Sequence, residues 1–405
     1  MITLLYIFLF ISLYIMIFWL ITFMRCGDHK KVKCPYAECP AVTIIVPCFN
    51  EEKTVARTLD SILALDYPMD LVTVLAVNDG STDKTPQVLG QYAKQYKNIT
   101  VLHKENDGSK FTALNYALDF TKTDLVGCLD SDSFVSPESL RYIVAEFRDK
   151  EVMSVIPTMV IHEPRSILQY AQRVEYEIAA ITRKIFHLLD AIYITPGPFS
   201  FFRMEVFNKI GKYRHAYYVE DCEVALRMQV AGMKIVHAEN AIVATQGPDT
   251  IMKLQKQRVR WTRGFIGNVW DYRQILLNRK YGEVGFSVVP SGFIRLFLST
   301  MLIPTIFWSF LFSVYLFIEK FIFAGASISF SYSNIIYQTE ALTLFLICTF
   351  IIMIIFIYYG RRIIARNEMF TFDIPAMVLI YNFISPFWAI ESWYRVISRR
   401  ENTWR

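Results

Sequence analysis

Residues 2 to 24, ITLLYIFLFISLYIMIFWLITFM, carry no charged side chain. About 20 apolar residues suffice to cross the hydrocarbon core of a bilayer, and a lone segment there satisfies its backbone only as a helix. A secretory signal would need a basic stretch ahead of the apolar run and a small-residue cleavage site. The sequence has neither, so residues 1–25 are expected to form an uncleaved transmembrane helix. Arg25, Lys30, Lys31 and Lys33 follow directly, and the positive-inside rule places the next segment in the cytoplasm, as part of a multi-pass protein of the cell membrane. Hydrophobic residues make up 54% of the 405, more than a soluble domain carries. The net charge of +5 sits mostly beside the membrane, which suits anionic lipid; no RNA- or DNA-binding motif is present, so nucleic acid is not an expected partner. Cys26, Cys34, Cys39, Cys48, Cys128, Cys222 and Cys348 are scattered as reduced thiols would be, and Cys34/Cys39 lack a second ligand pair for a metal. His162, His187, His215 and His237 show no metal-ligand spacing either.

From Ala41 the pattern turns soluble. AVTIIVP, VTVLAVN at 72 to 78, ITVLHK at 99 to 104 and the run Leu125 to Leu129 are short apolar stretches separated by helical ones. That alternation predicts an α/β domain with a mostly parallel, doubly wound sheet. The strand ends carry Asn50-Glu51-Glu52, Asp79-Gly80-Ser81 and Asp130-Ser131-Asp132, so polar groups recur on the sheet edge where such folds bind ligands. No G-x-G-x-x-G or G-x-x-x-x-G-K-[ST] is present, which disfavours a dinucleotide fold or a phosphate-loop ATPase. Asp130 and Asp132, one residue apart, suit a hard divalent cation that holds phosphates. The same loop also fits a polar lead-in to a helix, since Ser136-Pro137-Glu138 offers an N-cap, a proline at the first helical position and an acid in the first turn.

Residues 164–190 and 251–279 have the pattern of long amphipathic helices, suited to the membrane surface or to packing on the sheet. Leu296 to Ile318 and Ala341 to Tyr359 are expected spans, with Arg361, Arg362 and Arg366 marking a cytoplasmic end. Phe372 to Trp393 is also apolar but holds Asp373, Pro375, Pro386 and Glu391, and Arg395, Arg399, Arg400 and Arg405 follow it. A full span puts those arginines outside, against the positive-inside rule; a broken helix buried in protein removes the conflict. The expected division is an anchor at 1–25, a cytoplasmic domain with interfacial helices at 38–285, two or three spans at 290–395 and a basic tail at 396–405.

Four motifs carry chemistry: Asp79 in NDGS, Asp130 and Asp132 in DSD, Glu220-Asp221 in YVEDCEVALRM, and Gln257-x-x-Arg260-Trp261 in QKQRVRW. Taken singly, Glu220-Asp221 is either an acid–base pair or two acids favoured by a helix dipole. Gln257 and Arg260 share a helix face, and the stretch equally suits a lipid surface with Trp261 as anchor. In this order, together with VTIIVPCFNEEKTVARTLDSIL, GSKFTALNYAL and RWTRG, they closely resemble the processive, membrane-embedded glycosyltransferases of family 2: the poly-N-acetylglucosamine, hyaluronan, chitin-type and cellulose synthases. The resemblance covers nearly the whole chain. It is nearest to bacterial poly-N-acetylglucosamine synthases in length, in the one N-terminal span and in the S-P-F-W near the end.

That resemblance implies a nucleotide-diphospho-sugar transferase fold of the GT-A type. It also implies an inverting, processive hexosyltransferase that builds a β-linked polysaccharide from a UDP-sugar, with UDP-N-acetylglucosamine the first candidate. Carried over, Asp79 would bind the uridine or its ribose, Asp130 the nucleotide side, and Asp132, with Asp130, the Mg2+ or Mn2+ on the diphosphate. Asn50, Glu52 and Lys110 join the nucleotide side, and Arg260 would pair with the pyrophosphate as a planar fork. Asp221 would be the general base, with Glu220 beside it. Gln257, Trp261 and Gly197 would face the acceptor, although Thr195-Pro196-Gly197-Pro198 departs from the commoner Ser-Gly pairing. The implied partners are the UDP-sugar, a polysaccharide acceptor, membrane lipid and a small membrane or export subunit. A transferase that adds one sugar is the nearest rival, opposed by Q-x-x-R-W; an inactive export scaffold is opposed by the complete set of carboxylates.

Overall fold

The computed structural model describes residues 2–25, 32–301, 315, 318–319, 341–364 and 371–398. After α1 (Ile2–Arg25) come β1 (Val42–Cys48), α2 (Val55–Leu63), β2 (Val72–Asp79), α3 (Thr85–Gln95), β3 (Ile99–Lys104), α4 (Lys110–Leu118) and β4 (Leu125–Cys128). β1 pairs with β2 and β4, and β2 with β3, all in parallel. These strands read as nearly unbroken Val, Ile and Leu because helices cover both faces. Val42, Ile44 and Val46 pack against Val55, Leu59 and Ile62 of α2, while Ile45, between them, faces Ala113, Leu114 and Ala117 of α4. The two-residue period of the strand thus meets the i, i+4, i+7 stripe of the helix.

Past β4 the sheet becomes mixed. β5 (Ser133–Val135), α5 (Ser139–Glu146), β6 (Val152–Ile161), α6 (Ile167–Leu188), β7 (Phe201–Arg203), α7 (Met204–Ile210), α8 (Glu220–Val230) and β8 (Lys234–Thr245) complete it. The eight strands lie in the order β3-β2-β1-β4-β7-β6-β8-β5, with β7 antiparallel to both its neighbours and β5 antiparallel to β8. Gly127 stands opposite Phe201, and a Cβ there would overlap that ring, so the β4–β7 junction requires glycine. The loop after Asp130 does not enter a helix at Ser136 as expected. Ser133–Val135 are drawn into the ladder with β8, and the Ser136 N–H donates to the Ile242 carbonyl at 3.0 Å, so the helix begins at Ser139 with Glu138 at its N-cap.

α6 opens with the Ser166–Gln169 capping box, close to where the amphipathic pattern begins. α9 (Ile251–Asp271) stops short of residue 279, because the chain tightens into a 3-10 turn at Arg273–Ile275. Three helices among the described residues are long and apolar enough to cross a membrane: Tyr6–Arg25 within α1, α10 (Val284–Met301) and α12 (Asp373–Ile397). The expected span Leu296 to Ile318 coincides with α10 as far as Met301; most of the rest lies outside the described residues. Ala341 to Tyr359 lies within the helix α11 (Ala341–Ile363), and the segment Phe372 to Trp393, capped by Phe372, forms a single helix that runs through Pro386. Arg399, Arg400 and Arg405 lie outside the described residues.

α6 joins the sheet to these helices, packing on β6 and β8 on one side and on α1, α11 and α12 on the other. Arg361 is buried and reaches Glu177 at 2.8 Å and Asp373 at 3.0 Å, while Arg173 holds Asp373 at 2.7 Å. Such a network contributes little net stability against an apolar core, but removing one of its partners leaves buried charge uncompensated and is costly.

Candidate active site

Asp79 is the last residue of β2 and stands in register with Lys104, the last of β3. Lys104 Nζ lies 2.8 Å from Asp79 Oδ1, and Asn106 Nδ2 donates to Oδ2 at 3.0 Å and to the Asp79 carbonyl at 2.9 Å. Burial pushes the Asp79 carboxyl above its ordinary pKa, and Lys104 opposes that shift. Asn50 and Glu52 stand nearby on the loop after β1, with their acceptors directed at the next loop. Asn50 Oδ1 accepts from the Thr82 N–H at 2.8 Å, and Glu52 Oε2 from the Lys84 N–H at 3.0 Å. In this state the two side chains tie the loops that flank Asp79.

Lys110, the first residue of α4, is only 12% exposed; it ion-pairs with Asp130 and lies 3.9 Å from Glu220. Burial disfavours its ammonium, but the Asp130 carboxylate, helped by Glu220, holds its pKa well above the ordinary lysine value. Gly197 lies directly against this pair. A Cβ at that position would lie 2.7 Å from Lys110 Nζ and 3.2 and 3.3 Å from the Asp130 oxygens. Asp132 follows Asp130 with its carboxyl pushed up to about 7, by burial first and then by the carboxylates of Asp130 and Glu51.

Glu220 and Asp221 begin α8, where the helix dipole favours negative charge. The Thr195 N–H and hydroxyl donate to the Asp221 carbonyl at 3.1 and 3.0 Å, fixing the helix start against the segment that holds Gly197. The Asp221 carboxyl is raised to about 6, by burial first and then by Glu220, with Lys110 and Arg260 pulling the other way. Lys110, Thr195, Gly197, Ser200, Glu220 and Asp221 all line one recess.

α9 supplies the last motif. Arg260 Nη1 donates to the Tyr218 carbonyl at 3.0 Å, just ahead of α8. Gln257 Oε1 is buried without a hydrogen-bond partner among the described residues. Trp261 is braced by the Arg258 guanidinium, 4.4 Å from the ring centre, and Arg258 in turn donates to Glu175 at 2.6 Å.

Lys110, Asp130, Gly197, Glu220 and Asp221 therefore converge, while Asp79, Asn50 and Glu52 occupy the β2 end of the same edge. Lys104, Asn106 and Arg258 were not anticipated, and Thr195 only as part of the segment around Gly197. Of these, only Lys104 carries a signal in the sequence, as a lysine that ends a strand next to the Asp79 strand. A divalent cation fits the donor chemistry: mutually repelling carboxylates at Asp130 and Asp132 are the hard oxygen ligands such an ion prefers. No group of three or more His, Cys, Asp or Glu side chains arranged for a metal occurs among the described residues, so phosphate and water oxygens would complete the shell, as is usual for Mg2+.

A family model described as glycosyltransferase like family 2 matches residues 40–264, more than half of the chain. A poly-beta-1,6-N-acetyl-D-glucosamine synthase of Staphylococcus aureus (strain COL) is 28% identical over 266 residues, covering 63% of this chain and 64% of the relative. The synthase of Staphylococcus epidermidis is 28% identical over 235 residues, covering 58% of this chain and 56% of the relative. The chain thus spans less than two thirds of the curated relatives it matches. A mannosyltransferase from Pyrobaculum calidifontis, solved with GDP-mannose and Mn2+, is similar in fold, with a TM-score of 0.62 and 16% identity over 97% of this chain and 100% of that one.

Proposed function

We propose, since this chain belongs to the glycosyltransferase-like family 2, that it is an inverting, processive transferase that polymerises a β-linked polysaccharide from a UDP-sugar. The observation that carries this is the convergence of Asp221, with its carboxyl near pKa 6, on the recess that holds Lys110 and Gly197, with Asp130 ion-paired to Lys110. A carboxylate with that pKa is largely ionised at neutral pH yet basic enough to accept a proton as the reaction proceeds. The donor proposed is UDP-N-acetylglucosamine, supported by the likeness to the staphylococcal synthases.

In the proposed reaction an acceptor hydroxyl attacks the anomeric carbon. The new bond runs from acceptor oxygen to sugar carbon, the bond from that carbon to the diphosphate oxygen breaks, and UDP departs. Asp221 takes the hydroxyl proton, and Glu220 beside it keeps the pair basic. Asp79 would hold the uridine or ribose, with Asn50 and Glu52 shaping the loops around it. Lys110 and Arg260 would face the diphosphate as counter-charges aimed where negative charge develops. Gly197, Gln257 and Trp261 would form the acceptor side. Asp132 and Asp130 would hold an Mg2+ or Mn2+ ion, which neutralises charge on the leaving diphosphate. One base and one stabilised leaving group lead to inversion without a carboxylate nucleophile.

The proposed layout puts residues 38–285 in the cytoplasm between an anchor at 1–25 and a C-terminal membrane region at 290–395, with 396–405 as a basic tail. Lipid, the growing glycan and a small membrane or export subunit would be its partners. Incubating membranes with Mg2+ or Mn2+ and each radiolabelled UDP-sugar in turn, then sizing the products, tests the proposal. Long polymer from one UDP-sugar is expected. A product one sugar longer than the acceptor would refute processivity, and no consumption of any UDP-sugar would refute the whole reading.

A further inference from the structure

Three consecutive non-glycine residues, Ala216, Tyr217 and Tyr218, have positive φ, at 43°, 56° and 62°. L-residues enter the left-handed region at a cost and stay there only where their surroundings leave no alternative. This turn lies directly ahead of Val219 and the Glu220-Asp221 start of α8.

One face of α9 holds the turn. Arg260, Gly264, Gly267, Asn268 and Asp271 recur at helical spacing, and each meets the 216–219 segment. Asn268 is fully buried, and its Nδ2 donates to the Val219 carbonyl at 3.2 Å and to the Ala216 carbonyl at 3.5 Å. Arg260 donates to the Tyr218 carbonyl between them at 3.0 Å, and the Tyr217 hydroxyl donates to Asp271 Oδ2 at 3.1 Å. The two glycines make the approach possible. A Cβ at Gly267 would lie 2.6 Å from the Tyr217 ring, and one at Gly264 would overlap the Val219 side chain.

We propose that Asn268 is a positioning residue: its carboxamide latches the strained 216–219 turn onto α9 and thereby fixes the direction in which α8 presents Asp221. The helix that bears Gln257, Arg260 and Trp261 then sets the placement of the base as well. The effect on turnover rests on the role proposed for Asp221, whereas the latch itself is a property of the fold.

Hydrogen exchange and UDP release, measured on the full-length protein in detergent with UDP-N-acetylglucosamine as probe, separate the two. Asn268→Ala should speed amide exchange in residues 216–223 at least tenfold and leave β1 and β2 unchanged. It should also lower kcat at least tenfold with donor KM within twofold of wild type. Adding Ala216→Gly, which occupies the left-handed region without cost, should recover at least threefold of the lost kcat. Unchanged exchange at 216–223 would overturn the latch, as would a rise spread over the whole sheet or a kcat loss that Ala216→Gly does not relieve. If wild type releases no UDP from any UDP-sugar, the proposed function fails, and the local exchange result alone decides the latch.

Discussion

Replacing Gly197 with alanine sets one methyl group against the ion pair at the centre of the site. The methyl carbon would stand 2.7 Å from Lys110 Nζ and 3.2 Å from the nearer Asp130 oxygen. Heavy atoms in contact normally keep about 3.5–4.0 Å. Gly197 is not among the positive-φ glycines, so the cost is one of contact and not of backbone strain. Lys110 is the flexible partner, but it is only 12% exposed and bound to Asp130, and it can yield only by loosening that pair. Overpacking of this kind costs about 1–3 kcal/mol. If the loss falls on the transition state, kcat/KM drops roughly 5- to 150-fold. Initial rates of UDP release against donor concentration in membranes measure it, with protein level and melting temperature as folding controls. Activity within twofold of wild type in a folded Gly197→Ala protein would show that Lys110 and Asp130 do not act at the reacting diphosphate.

Because the raised Asp221 carboxyl must be ionised to act as base, kcat/KM should rise with pH through about 6 and level off above it. Glu220→Gln removes one cause of the elevation and should move that limb toward the ordinary carboxylate range; an unmoved limb would refute the assignment. Chelation by EDTA should abolish transfer and added Mg2+ or Mn2+ restore it, and Asp132→Ala should need more metal for half-maximal rate; transfer that survives chelation would contradict the metal assignment. Arg361→Ala leaves Glu177 buried without the guanidinium that holds it, at a cost of about 3–5 kcal/mol. A lowered melting temperature in detergent is expected, and an unchanged one would show that the network does not hold α11 and α12 to α6.

The first half of the sheet is legible in the sequence because β1, β2, β3 and β4 are apolar runs bounded by polar strand ends. β6 and β8 are longer but less visible: VMSVIPTMVI carries Ser154, Pro157 and Thr158, and KIVHAENAIVAT carries Glu239 and Asn240 in mid-strand. Their parallel pairing joins segments far apart in the chain, with register shifts that no local pattern encodes. The carboxylates of the site are legible as motifs, but their partners depend on tertiary register. Asp79 meets Lys104 only because β2 and β3 align there, and Gly197 looks like an ordinary loop residue until Lys110 and Asp130 are placed beneath it. The left-handed turn at Ala216–Tyr218 contains no glycine, so nothing local announces it; the signal lies in Gly264, Gly267 and Asn268 on another helix.

UDP release by Asp221→Asn in membranes, at saturating donor and acceptor, tests the central claim most directly. Asparagine keeps the shape of the side chain and removes its basicity, so turnover should fall by about 10²- to 10⁴-fold while UDP binding remains within a few-fold of wild type. Wild-type turnover by Asp221→Asn would contradict its assignment as the base.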